Sequence, residues 1–224
     1  MVSIIIPIYN EEKILSKNLP GFRRLAEKAE LIFVDGGSSD RSVEVAKVYG
    51  KVVRTGKGRA LQMNCGAGHA ESNILLFLHA DNVISPRTVA AVEKRLKNSS
   101  CVGGCLTQRI DRKGLIYRIL EMQGNLRARA TKVFYGDQAI FTKKDKFLKL
   151  KGFPEVPIME DVLFTRKLRR SGRTVVLCNK VSVSPRRWEK KGVLSTILLH
   201  NYVTLLHCLK FPLDKIKDLY EDLR

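Results

Sequence analysis

The sequence lacks the marks of a secreted, disulfide-bonded protein. Its five cysteines are an odd number and include no CxxC pair, so the pattern predicts neither a disulfide framework nor a zinc site. The apolar N-terminus MVSIIIPIYN has neither the basic segment nor the small-residue cleavage site of a signal peptide. We therefore expect a protein of the reducing cytoplasm.

Acidic and aromatic residues are also scarce. The 22 Asp and Glu residues face 41 Lys and Arg, a net charge of +19, so the expected partners are anionic: nucleotides, phosphates, nucleic acid or an acidic membrane surface. Aromatic residues make up 7% of the chain and form no aromatic-rich RNA-binding strand, and the basic residues are spread along the chain. We expect no nucleic-acid partner, although a nucleic-acid-binding protein stays an alternative function.

Short apolar or β-branched runs alternate with stretches of helical spacing in the first hundred residues. Strands are predicted at residues 2–6, 31–34, 51–54 and 73–78, and helices at 11–29, 40–49, 58–70 and 85–97. This alternation predicts an α/β fold in which helices flank a mostly parallel central sheet. Ligands of such sheets bind at the carboxyl ends of the strands.

After residue 100 the alternation becomes irregular. Strands are predicted at residues 101–110, 139–142, 173–177 and 180–184, and helices at 114–130 and 160–170. We predict one domain over residues 1–190, with a nucleotide-binding half (1–100) and an acceptor-binding half (101–190), followed by a C-terminal helical extension (191–224).

The apolar run over residues 193–209 is interrupted by His200, Asn201 and His207 and is slightly short for a membrane span. Two interpretations stay open for it. The run packs on the body or on a second subunit, or it lies on an anionic bilayer with its flanking lysines. Nothing in the sequence indicates an oligomeric state.

The four predicted strand ends carry the polar segments PIYNEE, VDGGSSD, GKGR and HAD. Each segment alone is explained by a helix cap, a turn or a surface loop. Together, at successive carboxyl ends of one sheet, they line one crevice with an aromatic ring, carboxylates, cations and glycines. That combination suits a base, a ribose and a diphosphate.

The ordered set PIYNEE, VDGGSSD, HAD, GDQAIF and MEDVLF resembles the inverting nucleotide-sugar glycosyltransferases of family 2, which have the GT-A fold. GRALQMNCGA and SPRRW narrow the resemblance to the subgroup known as radical-SAM-associated or arsenosugar-biosynthesis glycosyltransferases. The resemblance covers residues 2 to about 190. It implies a nucleoside diphosphate sugar as donor, UDP-linked in most relatives, and a hydroxyl-bearing acceptor.

The resemblance also implies a nucleotide site and a divalent metal, Mn²⁺ or Mg²⁺. The matching nucleotide-binding positions are Pro7, Tyr9, Glu11, Asp35, Arg59, His79, Ala80 and Asp81. Asp81 matches the last carboxylate of the family's DxD metal motif, and His79 stands in place of the first. An imidazole suits Mn²⁺ better than Mg²⁺, so His79 is either a metal ligand, a ribose or phosphate contact, or a strand-end residue bonded to backbone.

The family's ED motif implies that Asp161 is the general base, with Glu160 as an acceptor contact or support. Acidic residues in the first turn of a helix also have a purely structural explanation, because they face the positive end of the helix dipole.

The remaining motifs concern the acceptor and the departing diphosphate. Gly136, Asp137 and Gln138 match positions between donor and acceptor. Arg187 and Trp188 match the end of a QxxRW motif, with Ser184 in place of its Gln, and Arg187 is expected to stabilise the departing charge. A non-catalytic nucleotide-sugar-binding module is the further alternative.

Overall fold

One seven-stranded sheet forms the centre of the computed structural model, which describes residues 1–97, 100–209 and 211–222. The strands are β1 (Ser3–Ile8), β2 (Glu30–Asp35), β3 (Lys51–Arg54), β4 (Ile74–Phe77), β5 (Cys101–Ile110), β6 (Phe141–Lys143) and β7 (Arg173–Val183). The helices are α1 (Glu12–Ala26), α2 (Ser42–Lys47), α3 (Arg59–His69), α4 (Pro86–Lys97), α5 (Leu115–Thr131), α6 (Lys144–Lys149), α7 (Glu160–Arg170), α8 (Arg186–Lys191), α9 (Val193–Cys208) and α10 (Leu213–Asp222), and a 3-10 turn spans Gly136–Gln138.

The strand order is β3-β2-β1-β4-β6-β5-β7. Strands β1 to β4 pair in parallel, as do β5 and β7, whereas β6 runs antiparallel to both of its neighbours. The predicted α/β fold with a mostly parallel sheet is therefore confirmed. Because both halves of the chain contribute strands to this one sheet, the carboxyl ends of β1 to β4 meet the loops of the second half.

The sheet is buried on both faces, as its apolar strands predict. Ile4 and Ile6 pack into the core on one face and Ile5 into the core on the other. On the second face, four phenylalanine rings pack with centroids 4.6 to 5.5 Å apart; they are Phe77, Phe147, Phe153 and Phe164. This cluster fixes α6, α7 and the turn between them against β4, and so determines where the first turn of α7 lies.

The structure joins the two strands predicted at 173–177 and 180–184 into the single strand β7. Its pairing with β5 shifts register, because Leu106 pairs with Leu177 while the next residue, Thr107, pairs with Lys180. The extra residues form a bulge, which the sequence shows only as a break in the apolar pattern. The strand predicted at 139–142 corresponds to β6, which begins only at Phe141. Ala139 cannot belong to the strand, because its φ of 50° places it in the preceding turn.

The C-terminal region is helical, as predicted, although α8 begins at Arg186, ahead of the predicted boundary at residue 191. Thr196 and Val203 of α9 are buried, and Arg166 Nη1 of α7 lies 3.1 Å from His207 Nε2 of α9. No helix within the described residues has the length and apolar character needed to cross a membrane. The division of the chain at residues 100 and 190 stays a prediction.

Candidate functional site

The carboxyl ends of β1, β2 and β3 bring an aromatic ring, a carboxylate and cations together. Lys57 Nζ lies 4.3 Å from the centroid of the exposed Tyr9 ring, so that the segment after β3 contacts the segment after β1. The Asp35 carboxylate is buried at the end of β2, accepts a hydrogen bond from the Ser38 N–H at 3.0 Å and lies 3.8 Å from Arg54 Nε. The exposed Tyr9 ring thus offers a flat surface for stacking, whereas the Asp35 carboxylate is buried and bound to the following loop.

Pro7 lies near the end of β1, and Ala80 lies in the loop after β4. Pro7 is the penultimate residue of β1 and pairs with Val34. Ala80 is buried, and its carbonyl accepts a hydrogen bond from Asn18 Nδ2 of α1 at 2.9 Å. The loop after β4 is therefore anchored to α1, with His79 and Asp81 on either side of the anchor.

Arg186 lies between two carboxylates of the crevice. Its Nη1 is 3.7 Å from Glu11 Oε2, and its Nη2 is 3.6 Å from Asp81 Oδ2. Burial raises the pKa of Glu11, the negative charge of Asp81 raises it further, and the Arg186 guanidinium opposes both effects. The first residue of α8 thus lies beside the segments that follow β1 and β4.

Sequence reasoning selected Arg187 and missed Arg186. The side chain of Arg187 lies outside what the structure describes, and Trp188 is half-buried in α8. The contacts of Arg186 with Glu11 and Asp81 join segments that are distant in sequence, so the motif itself gives no sign of them. Lys57 was also missed as a site residue, although its place between two glycines at a strand end was a usable signal.

The carboxylates of Glu11 and Asp81 lie close enough for the single guanidinium of Arg186 to contact both. The same pair of negative charges therefore fits a divalent cation. Among the described residues, no group of three or more His, Cys, Asp or Glu side chains is placed to hold a metal. Mg²⁺ and similar hard cations are often held by one or two carboxylates together with substrate phosphates. The remaining ligands would therefore come from a bound diphosphate.

His79 and Asp161 come together on either side of Gly136. A methyl carbon built on Gly136 would lie 2.9 Å from His79 Nε2 and 3.4 Å from Asp161 Oδ2. The Gly136 N–H donates to Asp161 Oδ2 at 2.6 Å, and the Val162 N–H donates to Oδ1 at 2.7 Å. The loop after β4 and the start of α7, which are distant in sequence, therefore meet at Gly136.

Glu160 and Asp161 form the first turn of α7, behind Met159 with its left-handed φ of 66°. Glu160 is buried, and its Oε1 lies 3.2 Å from Arg59 Nη1 at the start of α3. Burial raises the pKa of Glu160, with Arg59 opposing and Asp161 adding to the rise. Burial likewise raises the pKa of Asp161, against the hydrogen bond from Gly136. The pair is thus biased toward taking up a proton.

The side chains of Asp137 and Gln138 face the body of the second half. Asp137 Oδ2 accepts a hydrogen bond from Gln108 Nε2 of β5 at 2.7 Å. Gln138 is fully buried, and its Oε1 accepts from Arg127 Nη2 of α5 at 3.2 Å. Of the segment predicted to lie between donor and acceptor, it is the Gly136 backbone that contacts Asp161.

Comparison with known sequences matches residues 3–155 to the model of Glycosyl transferase family 2. An undecaprenyl-phosphate 4-deoxy-4-formamido-L-arabinose transferase of Photorhabdus laumondii is 28% identical over 130 residues, which are 52% of this chain and 39% of the relative. A 4,4'-diaponeurosporenoate glycosyltransferase of Staphylococcus haemolyticus is 35% identical over 89 residues, 36% of this chain and 24% of the relative. The match thus spans less than half the length of these relatives.

Solved structures share the fold. S. aureus TarS 1-349 in complex with UDP-GlcNAc superposes with a TM-score of 0.64 at 19% identity, covering 82% of this chain and 58% of TarS. The mannosyltransferase PcManGT from Pyrobaculum calidifontis, in complex with GDP-Man and Mn²⁺, gives a TM-score of 0.66 at 20% identity, covering 81% of this chain and 56% of the other. These similarities support the GT-A fold.

Proposed function

The chain belongs to glycosyl transferase family 2, and we propose that it transfers a sugar from a nucleoside diphosphate sugar to an acceptor hydroxyl with inversion. The observation that carries the proposal is the meeting of His79, Gly136 and Asp161, because it brings a buried carboxylate beside the loop that ends the nucleotide-binding strands. A single displacement needs this proximity of a base to the donor's anomeric carbon.

The donor is proposed to bind along the carboxyl ends of β1 to β4. Asp35 accepts from the base, the Tyr9 ring stacks on it, and Lys57 and Arg59 face the diphosphate. We propose a UDP-linked donor; neighbours of the same fold are complexed with UDP-GlcNAc in one case and GDP-Man in another. The motifs GRALQMNCGA and SPRRW support the finer proposal of the arsenosugar-biosynthesis subgroup.

Asp161 is proposed to take the proton of the attacking hydroxyl. Hydrogen bonds from Gly136 and Val162 fix its two oxygens, and a pKa raised by burial makes its carboxylate a better base at neutral pH. Glu160, tied to Arg59, keeps the first turn of α7 in position.

The departing diphosphate needs positive charge. Arg186 is proposed to supply part of it by turning from Glu11 and Asp81 to the phosphates when the donor binds; Arg187 keeps the same proposed role. A Mn²⁺ or Mg²⁺ held by Asp81 would act as a Lewis acid on the diphosphate. His79 stays either a ligand of that metal or a contact of the ribose or phosphate.

We also propose a cytoplasmic location with a peripheral position on an anionic membrane. Among the described residues Cys65, Cys101, Cys105 and Cys178 are free thiols, which suits a reducing compartment. Several relatives are named for lipid phosphates, including undecaprenyl phosphate and dolichyl phosphate, which supports an acceptor presented at a membrane.

The experiment has two stages. Thermal unfolding with UDP, GDP, UDP-GlcNAc and GDP-mannose, each with Mn²⁺ or Mg²⁺, identifies the nucleotide, and a nucleic-acid duplex serves as the competing ligand. Release of nucleoside diphosphate from the best donor, with water as the hydroxyl acceptor, then measures turnover. Asp161→Asn should lower turnover on the order of 100-fold or more and leave nucleotide affinity nearly intact.

Asp145→Asn is the matched control, because Asp145 is exposed on α6 away from the crevice. It should retain full turnover. Stabilisation by nucleotide with no turnover in the wild type would instead favour a non-catalytic binding module. Turnover that survives Asp161→Asn would end the assignment of the base.

A further inference from the structure

Helix α5 exposes an apolar stripe on its outer face. Leu115, Ile119, Met122 and Leu126 are spaced by three or four residues and are between 37% and 79% exposed. At about 100° per residue, these side chains fall within about 60° of one another around the helix. A stripe of this kind normally faces a core, yet here it faces outward.

Helix α9 has the same property over its whole length. Its exposed apolar residues, with exposed fractions of 46% to 74%, are Leu194, Leu198, Tyr202 and Leu205, and the stripe continues to Leu209 just beyond the helix. The buried Thr196 and Val203 lie on the opposite side of the helix. α9 therefore packs by one face and presents a second apolar face to its surroundings.

Contacts near both ends relate α5 to α9. Near their first residues, Arg112 Nη1 lies 3.3 Å from Glu189 Oε1, which joins the turn before α5 to the helix before α9. Near their last residues both helices contact α7. Arg169 Nη1 of α7 donates to the Thr131 carbonyl of α5 at 2.6 Å, and Arg166 of α7 contacts His207 of α9. α5 and α9 thus run in the same direction on one side of the protein.

We propose that the apolar stripes of α5 and α9 together form one surface that docks on an anionic lipid bilayer. This two-helix surface consists of residues 115, 119, 122 and 126 of α5, residues 194, 198, 202 and 205 of α9, and residue 209, which follows α9. Amphipathic helices bind in the plane of a bilayer interface with their apolar faces among the acyl chains.

Charge selects the bilayer over a second copy of the chain. Besides Arg127, which is bound to Gln138, residues 109–132 include six Lys and Arg against two Asp and Glu, and the whole chain carries +19. Two such surfaces facing each other would bring like charges together. An anionic bilayer offers an apolar interior for the stripes and negative headgroups for the flanking cations, each worth a contribution that falls with salt.

The two-helix surface also borders the candidate site. The inner side of α5 holds Gln138 through Arg127, and α8, directly before α9, carries Arg186 over the crevice. Docking would therefore bring the acceptor side of the crevice close to the headgroups. The docking deepens the membrane position proposed above, and its consequence for the acceptor rests on the proposed sugar transfer.

Co-sedimentation of the full chain with vesicles tests the docking without donor or acceptor. Phosphatidylcholine vesicles are compared with vesicles that also contain phosphatidylglycerol, at low and high salt. Binding should be strong on anionic vesicles and weaken with salt. The paired change Leu194→Gln with Leu198→Gln, and separately Met122→Gln with Leu126→Gln, should each lower the partition coefficient about tenfold or more.

Leu148→Gln is the matched control, since Leu148 is 56% exposed on α6 outside the surface, and it should bind as the wild type does. Thermal unfolding checks that every variant is folded. Equal binding to neutral and anionic vesicles, or an unchanged partition of the α5 variant, overturns the proposal. Sedimentation without lipid gives a further test. A concentration-dependent dimer that the two α9 changes abolish would also overturn the proposal. Vesicle binding by a chain without turnover would refute only the proposed function.

Discussion

Gly136→Ala is the substitution that most directly tests the site geometry. The added Cβ would lie 2.9 Å from His79 Nε2, 3.2 Å from His79 Cε1 and 3.4 Å from Asp161 Oδ2. Since favourable contacts between carbon atoms lie near 3.5 to 4.0 Å, the imidazole would have to move by about half an ångström. His79 Nε2 is buried, so the ring has little room in which to yield.

The expected cost follows from this overlap. Overpacking of a filled site costs about 1 to 3 kcal/mol of unfolding free energy. Turnover should fall by about tenfold or more, because a displacement of about 1 Å in an active site can cost about 100-fold. Urea unfolding at equilibrium measures the first quantity, and release of nucleoside diphosphate measures the second.

Gly68→Ala provides the control. Gly68 lies in α3, and a Cβ built on it meets nothing within 4 Å. Replacing a helical glycine whose conformation suits alanine should stabilise the protein by about 0.4 to 1 kcal/mol. The two glycine-to-alanine changes should therefore have opposite signs.

A double-mutant cycle identifies the clashing group. If the cost of Gly136→Ala arises from the imidazole, His79→Ala in the same chain should relieve it, with an interaction energy of about 0.5 to 3 kcal/mol. Additive effects of the two changes would refute the reasoning. So would a Gly136→Ala protein as stable and as active as the wild type, because His79 and Asp161 would then not border that residue.

Three further predictions follow from charges in the site. Because burial raises the pKa of Asp161 and the base acts when ionised, turnover should fall with decreasing pH at a midpoint above about 3.9, the ordinary value for Asp; a pH profile that stays flat down to pH ~4 would contradict this. Arg186→Ala should raise Mn²⁺ affinity without nucleotide by up to about fivefold, as expected from loss of an exposed ion pair, while weakening UDP binding; calorimetry that finds both unchanged would remove Arg186 from the site. If His79 is a metal ligand, His79→Asp should shift the preference in UDP titrations from Mn²⁺ toward Mg²⁺, whereas an unchanged ratio would leave Asp81 as the metal carboxylate.

Much of the fold of the first hundred residues was predictable because its signals are local. The apolar runs before residues 9, 36 and 79 are short enough to be strands, and parallel strands separated by helices place their carboxyl ends on one edge. Tyr9, Asp35 and Asp81 could therefore be assigned to one crevice without coordinates. The ordered motifs up to MEDVLF indicated the family, and the match over residues 3–155 confirmed it.

Other features depended on contacts between residues distant in sequence, which no local pattern encodes. The start of α8 brought Arg186 to Glu11 and Asp81. The packing of α7 against β4 brought Asp161 to Gly136 beside His79. The outward faces of α5 and α9 were hidden for the same reason. An apolar stripe predicts an amphipathic helix, but only the tertiary structure decides whether that stripe is buried against the body or exposed at the surface.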